Sequence, residues 1–214
     1  MPRSKTLGFE PENGWPPSVQ ASRFQPVEGY AAANSGVNDR AEVLLIGGRS
    51  GVGKSSVAFE CHEVLLAEDI SHAVIDGDML DLAYPVPWEH GLAERNLSAI
   101  WANYRSLGFR RLIFVGTACV LPDESTKIIA AMGDRPRVVP VLLTCTDATA
   151  THRLRQRETG TGFNRHRGSS QQMATTLAAG INDDVHLIAT DDRSVCDVAA
   201  DVLACTPWRA PTAD

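Results

Sequence analysis

Long apolar runs are missing from this chain of 214 residues. No stretch approaches the roughly 20 residues that span a bilayer, and the first residues lack the apolar centre of a signal peptide. A membrane role is therefore disfavoured, and a cytoplasmic location is expected. Paired cysteines are missing too. Cys61, Cys119, Cys145, Cys196 and Cys205 form no C-x-x-C pair and sit mostly in apolar segments, so reduced packing residues are expected rather than disulfides or zinc ligands. The six histidines lack metal-ligand spacing. Nor is there an excess of positive charge: 20 Lys and Arg stand against 26 Asp and Glu, a net charge of −6. That balance argues against a nucleic-acid backbone as the main partner.

With 43% hydrophobic residues, the chain can bury one sizeable core. Residues 1–38 are rich in Pro, Gly, Ser and Asn without a period and read as a flexible arm. A single domain is expected over 39–208, with 209–214 as a short tail. From residue 41 on, short apolar runs alternate with helical periods, which predicts parallel strands joined by helical crossovers. Five strands are readable at 42–46, 73–75, 111–115, 138–143 and 185–189. The fourth is the least regular, because Pro140 cannot donate to a ladder. Ala93, Leu97, Ile100, Trp101 and Tyr104 predict a helix that ends at Gly108. Ser194 to Asp197 form a capping-box pattern ahead of Val198, Ala199, Val202 and Leu203.

What the chain does contain is Gly48-Arg49-Ser50-Gly51-Val52-Gly53-Lys54-Ser55, directly behind Val43-Leu44-Leu45-Ile46. This is G-x-x-x-x-G-K-S after a strand, a phosphate-binding loop. Its backbone amides converge on phosphate oxygens, Lys54 places a cation at the β- and γ-phosphates, and the Ser55 hydroxyl can ligate Mg²⁺. Ser56 follows in the first turn of a predicted helix, 54–68, whose N-terminus faces the phosphates. ATP and Mg²⁺ are the expected cofactors.

A second signal lies in Ile75-Asp76-Gly77-Asp78, where two carboxylates emerge from a buried strand. Strand C-terminal ends line the ligand crevice of an open parallel sheet. One carboxylate can serve Mg²⁺ while the other accepts the proton of an attacking hydroxyl. Which does which is left open. Missing is the apolar strand ending in Asp or Asp-Glu that motor and transport ATPases use, since the third strand ends Phe114-Val115-Gly116-Thr117. After the fourth strand, Thr146 or Asp147 reads as a helix cap. No Asn-Lys-x-Asp motif occurs, which disfavours a GTPase. Arg153, Arg155, Arg157, Arg165, His166 and Arg167 crowd into fifteen residues. Helix 148–158, a hinge with Gly160 and Gly162, and helix 170–179 have the form of an arginine lid over the phosphates. Arg153 and Arg157 are the expected nucleotide contacts, and Arg165 and Arg167 the lid.

Over residues 42–205 the chain resembles small P-loop kinases of the adenylylsulfate, gluconate and shikimate kinase type. The adenylylsulfate kinase motif Leu-Asp-Gly-Asp-Asn resembles Ile75-Asp76-Gly77-Asp78-Met79, and its Asp-Arg-x-Glu-Asn-Ile segment resembles Glu94-Arg95-Asn96-Leu97-Ser98-Ala99. Arg157-Glu158 looks like the family's lid pair. The resemblance implies a three-layer α/β/α P-loop NTPase fold with a lid. It also implies metal and base duties for Asp76 and Asp78, and a substrate contact for Arg95 beside Asp78. The departures speak against adenylylsulfate as acceptor: Asp81 stands where the family has an arginine, Val115-Gly116-Thr117-Ala118 replaces Phe-Ile-Ser-Pro, and Ser98 replaces an asparagine. Asp81, Glu89 and Glu94 would suit a neutral polyol or a cationic metabolite or antibiotic. The expected activity is ATP-dependent transfer of a phosphoryl group to a hydroxyl of a small molecule. A nucleoside monophosphate kinase and a nucleotide-binding regulator or slow ATPase are the alternatives. A homodimer is left open.

Overall fold

The computed structural model describes residues 40–85, 90–157 and 163–209, excluding the side chains of residues 157 and 163–167. The expected arm at 1–38, most of the tail, Glu89, Glu158 and the hinge glycines Gly160 and Gly162 lie outside the described residues. So do the side chains of Arg157, Arg165 and Arg167.

Five parallel strands form one sheet in the order β2-β3-β1-β4-β5. They are β1 (Glu42–Gly47), β2 (Ala73–Asp76), β3 (Arg111–Val115), β4 (Arg137–Thr144) and β5 (His186–Ala189). The helices are α1 (Lys54–Ala67), α2 (Leu92–Ser106), α3 (Pro122–Met132), α4 (Asp147–Arg157), α5 (Phe163–Gly180) and α6 (Val195–Ala204). The apolar runs of the central strands arise because both faces of the sheet are covered. Side chains alternate across a strand. Leu44 and Ile46 accordingly join Val57, Cys61 and Leu65 of α1 and Val198 and Val202 of α6 in one core. Val43 and Leu45 face the other, with Leu97 and Trp101 of α2, Ile128 and Met132 of α3 and Leu177 of α5. The three-layer arrangement expected from the sequence is present.

Pro140 is accommodated by position. It pairs in register with Leu45 of β1, while the β4 pairing with β5 begins only at Val141, so the missing donor falls where β4 is still an edge. Ser194 caps α6 as its pattern predicts, accepting from the Asp197 amide at 3.1 Å and donating to its carboxylate at 2.7 Å. Helix α3 was not anticipated. Its signals are Pro122 in the first turn, Asp123 and Glu124 beside it, and Gly133 at its end, a start-and-stop pattern that an apolar-period reading passes over. The lid form also needs correction. The second helix begins at Phe163 rather than Ser170, so Arg165 and Arg167 belong to the first turns of a helix and not to a hinge. Of the cysteines, Cys61 and Cys119 are buried and all five are free, but Cys196 is exposed and does not pack.

Candidate active site

The loop between β1 and α1 needs glycine at particular points. Gly53 holds φ at 107° as the residue preceding α1, a left-handed conformation that costs other residues energy. Gly51 has φ 85°, and a Cβ there would sit 2.8 Å from the Ala150 carbonyl oxygen. Among the described residues, α1 has no side-chain cap and no acid in its first turn. Its orphan amides and the positive end of its dipole thus face outward, the arrangement that receives an anion. By contrast α3 carries Asp123 and Glu124 in that position.

A cavity of about 270 Å³ opens in front of these amides, lined by Ser50, Gly51, Gly53, Lys54, Ser55, Ser56, Asp78, Arg153 and Leu154. Lys54 is buried and donates to the Arg49 carbonyl oxygen at 3.4 Å. Gly48, Arg49 and Val52, expected as nucleotide contacts, do not line it. Gly48 is pinned through its amide to the Thr117 carbonyl oxygen at 3.1 Å, and Val52 is fully buried. Arg49 is 5% exposed and bonds away from the cavity, to the Asp147 carboxylate and, through Nε, to Ser170 Oγ at 2.9 Å. Ser170 in turn donates to the Ser50 carbonyl oxygen at 2.8 Å. These three residues shape the loop instead of touching the space in front of it.

Arg153 does reach the cavity. Its guanidinium is held by the Val52 carbonyl oxygen and by the hydroxyl and carbonyl oxygen of Thr190, each at 2.9 Å. The same arginine borders an open cleft of about 520 Å³ lined by Ala148, Thr149, His152, Asp192 and Arg193. Asp191 shapes that cleft and went unremarked in the sequence. It accepts from the Thr146 amide at 3.0 Å and from the Thr146 and Thr149 hydroxyls at 2.8 and 2.6 Å. The Thr149 and Thr146 bonds hold its carboxyl below the usual range. Thr146 also accepts from the Thr149 amide at 3.2 Å, capping α4 as expected.

Past β2, Asp76 caps a single 3₁₀ turn, Gly77–Met79, by accepting from the Asp78 amide at 3.0 Å. Its other oxygen lies 3.3 Å from Ser55 Oγ. A hydroxyl and a carboxylate at that separation are hard oxygen donors that suit Mg²⁺, which takes one or two protein groups and completes its shell with phosphate and water. Among the described residues no cluster of three His, Cys, Asp or Glu side chains stands ready as a metal cage. Gly77 is required by close packing: a Cβ would come within 2.7 Å of Phe114 and 2.9 Å of the Val115 carbonyl oxygen.

A second cavity, of about 250 Å³, lies on the far side of Asp78. Gly77, Asp78, Leu80 and Asp81, then Ala93, Glu94 and Leu97 of α2, Phe114 and the segment from Gly116 to Cys119, and Glu124, Lys127 and Ile128 of α3 line it. Asp78 belongs to both cavities. Burial pushes the Cys119 thiol up to about 12, although nearby Lys54 opposes the shift, so this wall group stays a neutral thiol. Arg95, expected to contact substrate here, is exposed and absent from the lining, where its neighbour Glu94 stands. One residue along a helix turns the side chain by about 100°.

No protein-family model and no curated protein matches the sequence. Among solved structures, the APS (adenylylsulfate) kinase of Mycobacterium tuberculosis in complex with AMPPNP and APS is 21% identical, with a TM-score of 0.51 over 78% of this chain and 97% of that one. The tunicamycin resistance protein of Deinococcus radiodurans is 20% identical, with a TM-score of 0.54 over 77% of this chain and 95% of that one. A gluconokinase of Sinorhizobium meliloti is a looser match, 16% identical at a TM-score of 0.48 over 77% and 90%. The chain shares the fold of the first two of these structures. Among the described residues no helix is long and apolar enough to cross a membrane.

Proposed function

We propose that the protein is an ATP-dependent phosphotransferase that moves the γ-phosphoryl group to a hydroxyl of a small molecule. The observation that carries this reading is Asp78, a carboxylate on the wall shared by the phosphate cavity and a second, separate cavity. A hydroxyl bound in the second cavity would give its proton to Asp78 as its oxygen attacks the γ-phosphorus. The bond from that phosphorus to the bridging oxygen of ADP breaks, and ADP keeps the electron pair. Lys54 and the α1 amides stabilise charge on the phosphoryl oxygens through this transfer. Ser55 and Asp76 would hold Mg²⁺, which when bound neutralises phosphate charge. Asp78 suits the base role better than Asp76, whose two oxygens are already engaged by Ser55 and the Asp78 amide. The arginines of α4 and α5 would close over the nucleotide. Arg153 is the best-supported of them because it borders both the phosphate cavity and the cleft by Asp192.

The test is incubation of the purified chain with γ-labelled ATP, magnesium and a panel of hydroxylated metabolites and antibiotics. Label transferred to an acceptor, and lost in Asp78→Asn, supports the proposal. Label released only as inorganic phosphate sinks it and leaves a slow ATPase. Transfer to nucleoside monophosphates alone would make the protein a nucleotide kinase. Against that outcome stands the acceptor cavity, in which Lys127 is the one cation among the described lining residues.

A further inference from the structure

The charge of the second cavity is unusual for a site expected to work beside phosphates. Four carboxylates line it, Asp78, Asp81, Glu94 and Glu124, and they come from three elements that converge only in the fold. The cation Lys127 bonds to Glu124 at 2.6 Å. That bond, reinforced by Glu94 and Asp123 through space, holds its amine above the ordinary range, so the ammonium is already matched by acid. With Asp78 reserved for the transferred proton, Asp81 and Glu94 remain. Among the described residues neither side chain takes part in a hydrogen bond or ion pair, although Glu94 acts on Lys127 through space.

Charges of one sign that prevail in a concave wall focus their field into the space they enclose. The concavity itself is marked as a binding site by its shared wall with the phosphate cavity; the carboxylates decide what it admits. A sulfate, phosphate or carboxylate on the acceptor would meet repulsion from both, with no free cation on the described wall to compensate. Arg95, which could have served, is exposed on α2 outside the lining. Most of the remaining wall is apolar, from Leu80, Ala93, Leu97, Phe114 and Ile128, with Thr117 adding a hydroxyl, and a volume of about 250 Å³ admits a single ring or a short chain.

We infer that the acceptor is a small hydroxylated amine, bound as its ammonium ion by Asp81 and Glu94 with a hydroxyl at Asp78. This rests on the phosphotransferase reading above and narrows it. Protonated amine and carboxylates form charge-assisted hydrogen bonds, while the ring or chain packs on the apolar wall. The reaction is unchanged: the hydroxyl oxygen gains the phosphoryl group, its proton passes to Asp78, and the ammonium group takes no part in bond making.

The experiment supplies γ-labelled ATP, magnesium and the full-length chain with short amino alcohols, amino sugars and aminocyclitols. Each is paired with its N-acetylated neutral form and a hydroxylated carboxylate of similar size. The expected result is transfer to free amines, with N-acetylation lowering kcat/KM by about tenfold or more, the scale of one charge-assisted contact. Preferred transfer to neutral or carboxylate acceptors overturns this inference and leaves the phosphotransferase reading standing. Label that reaches only water, or no turnover at all, overturns both. The variants Asp81→Asn and Glu94→Gln are then compared on the preferred amine, with melting curves to verify folding. Each should raise the KM for the amine far more than it lowers kcat, and the double variant should lose the preference for the free amine over its acetylated form. Glu94→Lys should move selectivity toward carboxylates. A preference unchanged by all three substitutions overturns the assignment to these side chains.

Discussion

The phosphate cavity takes most of its lining from one stretch, Ser50 to Ser56, with Asp78, Arg153 and Leu154 added across the crevice. The acceptor cavity draws on four separate segments between Gly77 and Ile128. The first is made largely of backbone amides, a helix end and glycines, groups that any polyphosphate satisfies in the same way. The second is made of side chains whose charge and size can vary independently. On the proposed function, one cavity would hold a reagent that many acceptors share, and the other would carry the discrimination among them. Asp78 is where they meet.

The most severe way to break that pairing is Asp78→Asn. Loss of a general base lowers transfer by about 10²- to 10⁴-fold, while ATP affinity measured by titration stays close to that of the parent chain. Unaltered transfer would remove Asp78 from the mechanism. Next comes Lys54→Ala, which strips the phosphate cavity of its buried cation. By analogy with removal of one charge-stabilising donor, it costs about 10²- to 10³-fold in kcat, with the preference among acceptors preserved. A change in acceptor preference would show that the two cavities are not separable.

A smaller effect separates shape from charge. Gly77→Ala forces a methyl against Phe114 and the Val115 carbonyl oxygen, and overpacking of this kind costs about 1–3 kcal/mol. Urea unfolding measures that cost, and acceptor KM should rise more than ATP KM because the turn carrying Asp78 must shift. Ser194→Ala, at the α6 cap far along the chain from either cavity, should cost about 1 kcal/mol of stability and leave both KM values where they are. The last effect, a loss of stability, sets in only above pH 9. Cys61 and Cys119 are both pushed from an ordinary 9.0 to about 12, chiefly by burial. Their raised values favour the folded state fully below pH 9. That contribution disappears as pH climbs toward 12, so the urea midpoint should fall across this range, and less steeply in Cys61→Ala.

The same contrast explains what could be read from the chain in advance. Strands showed themselves as apolar runs because the sheet is covered on both faces, and the loop at Gly48 to Ser55 is contiguous, so its geometry is local. Even there, the burial of Arg49 was not legible. Its partners Asp147 and Ser170 are about a hundred residues away, and only the tertiary fold reveals that it braces the loop. On the acceptor side the distances in sequence are the difficulty. Glu124 and Lys127 belong to α3, an element separate in sequence from both the turn of Asp78 and α2. The resemblance of a segment points to Arg95, but helical rotation presents Glu94 to the cavity instead. The arginine-rich stretch stands out by composition, which does not reveal that α5 already starts at Phe163.

The strand order has a consequence for synthesis of the chain. β1, α1 and β2 are consecutive, and by Asp78 a growing chain already holds the whole loop and both aspartates. Yet β1 and β2 are not neighbours: β3 lies between them and pairs with each. A nascent chain stopped before Arg111 thus possesses Ser55 and Asp76 without the strand that sets their spacing. Such late, non-local pairing is slow to form. The spacing of Ser55 and Asp76 is therefore set only after β3 is inserted, and a truncated translation product carries the sequence hallmarks of the site without its geometry.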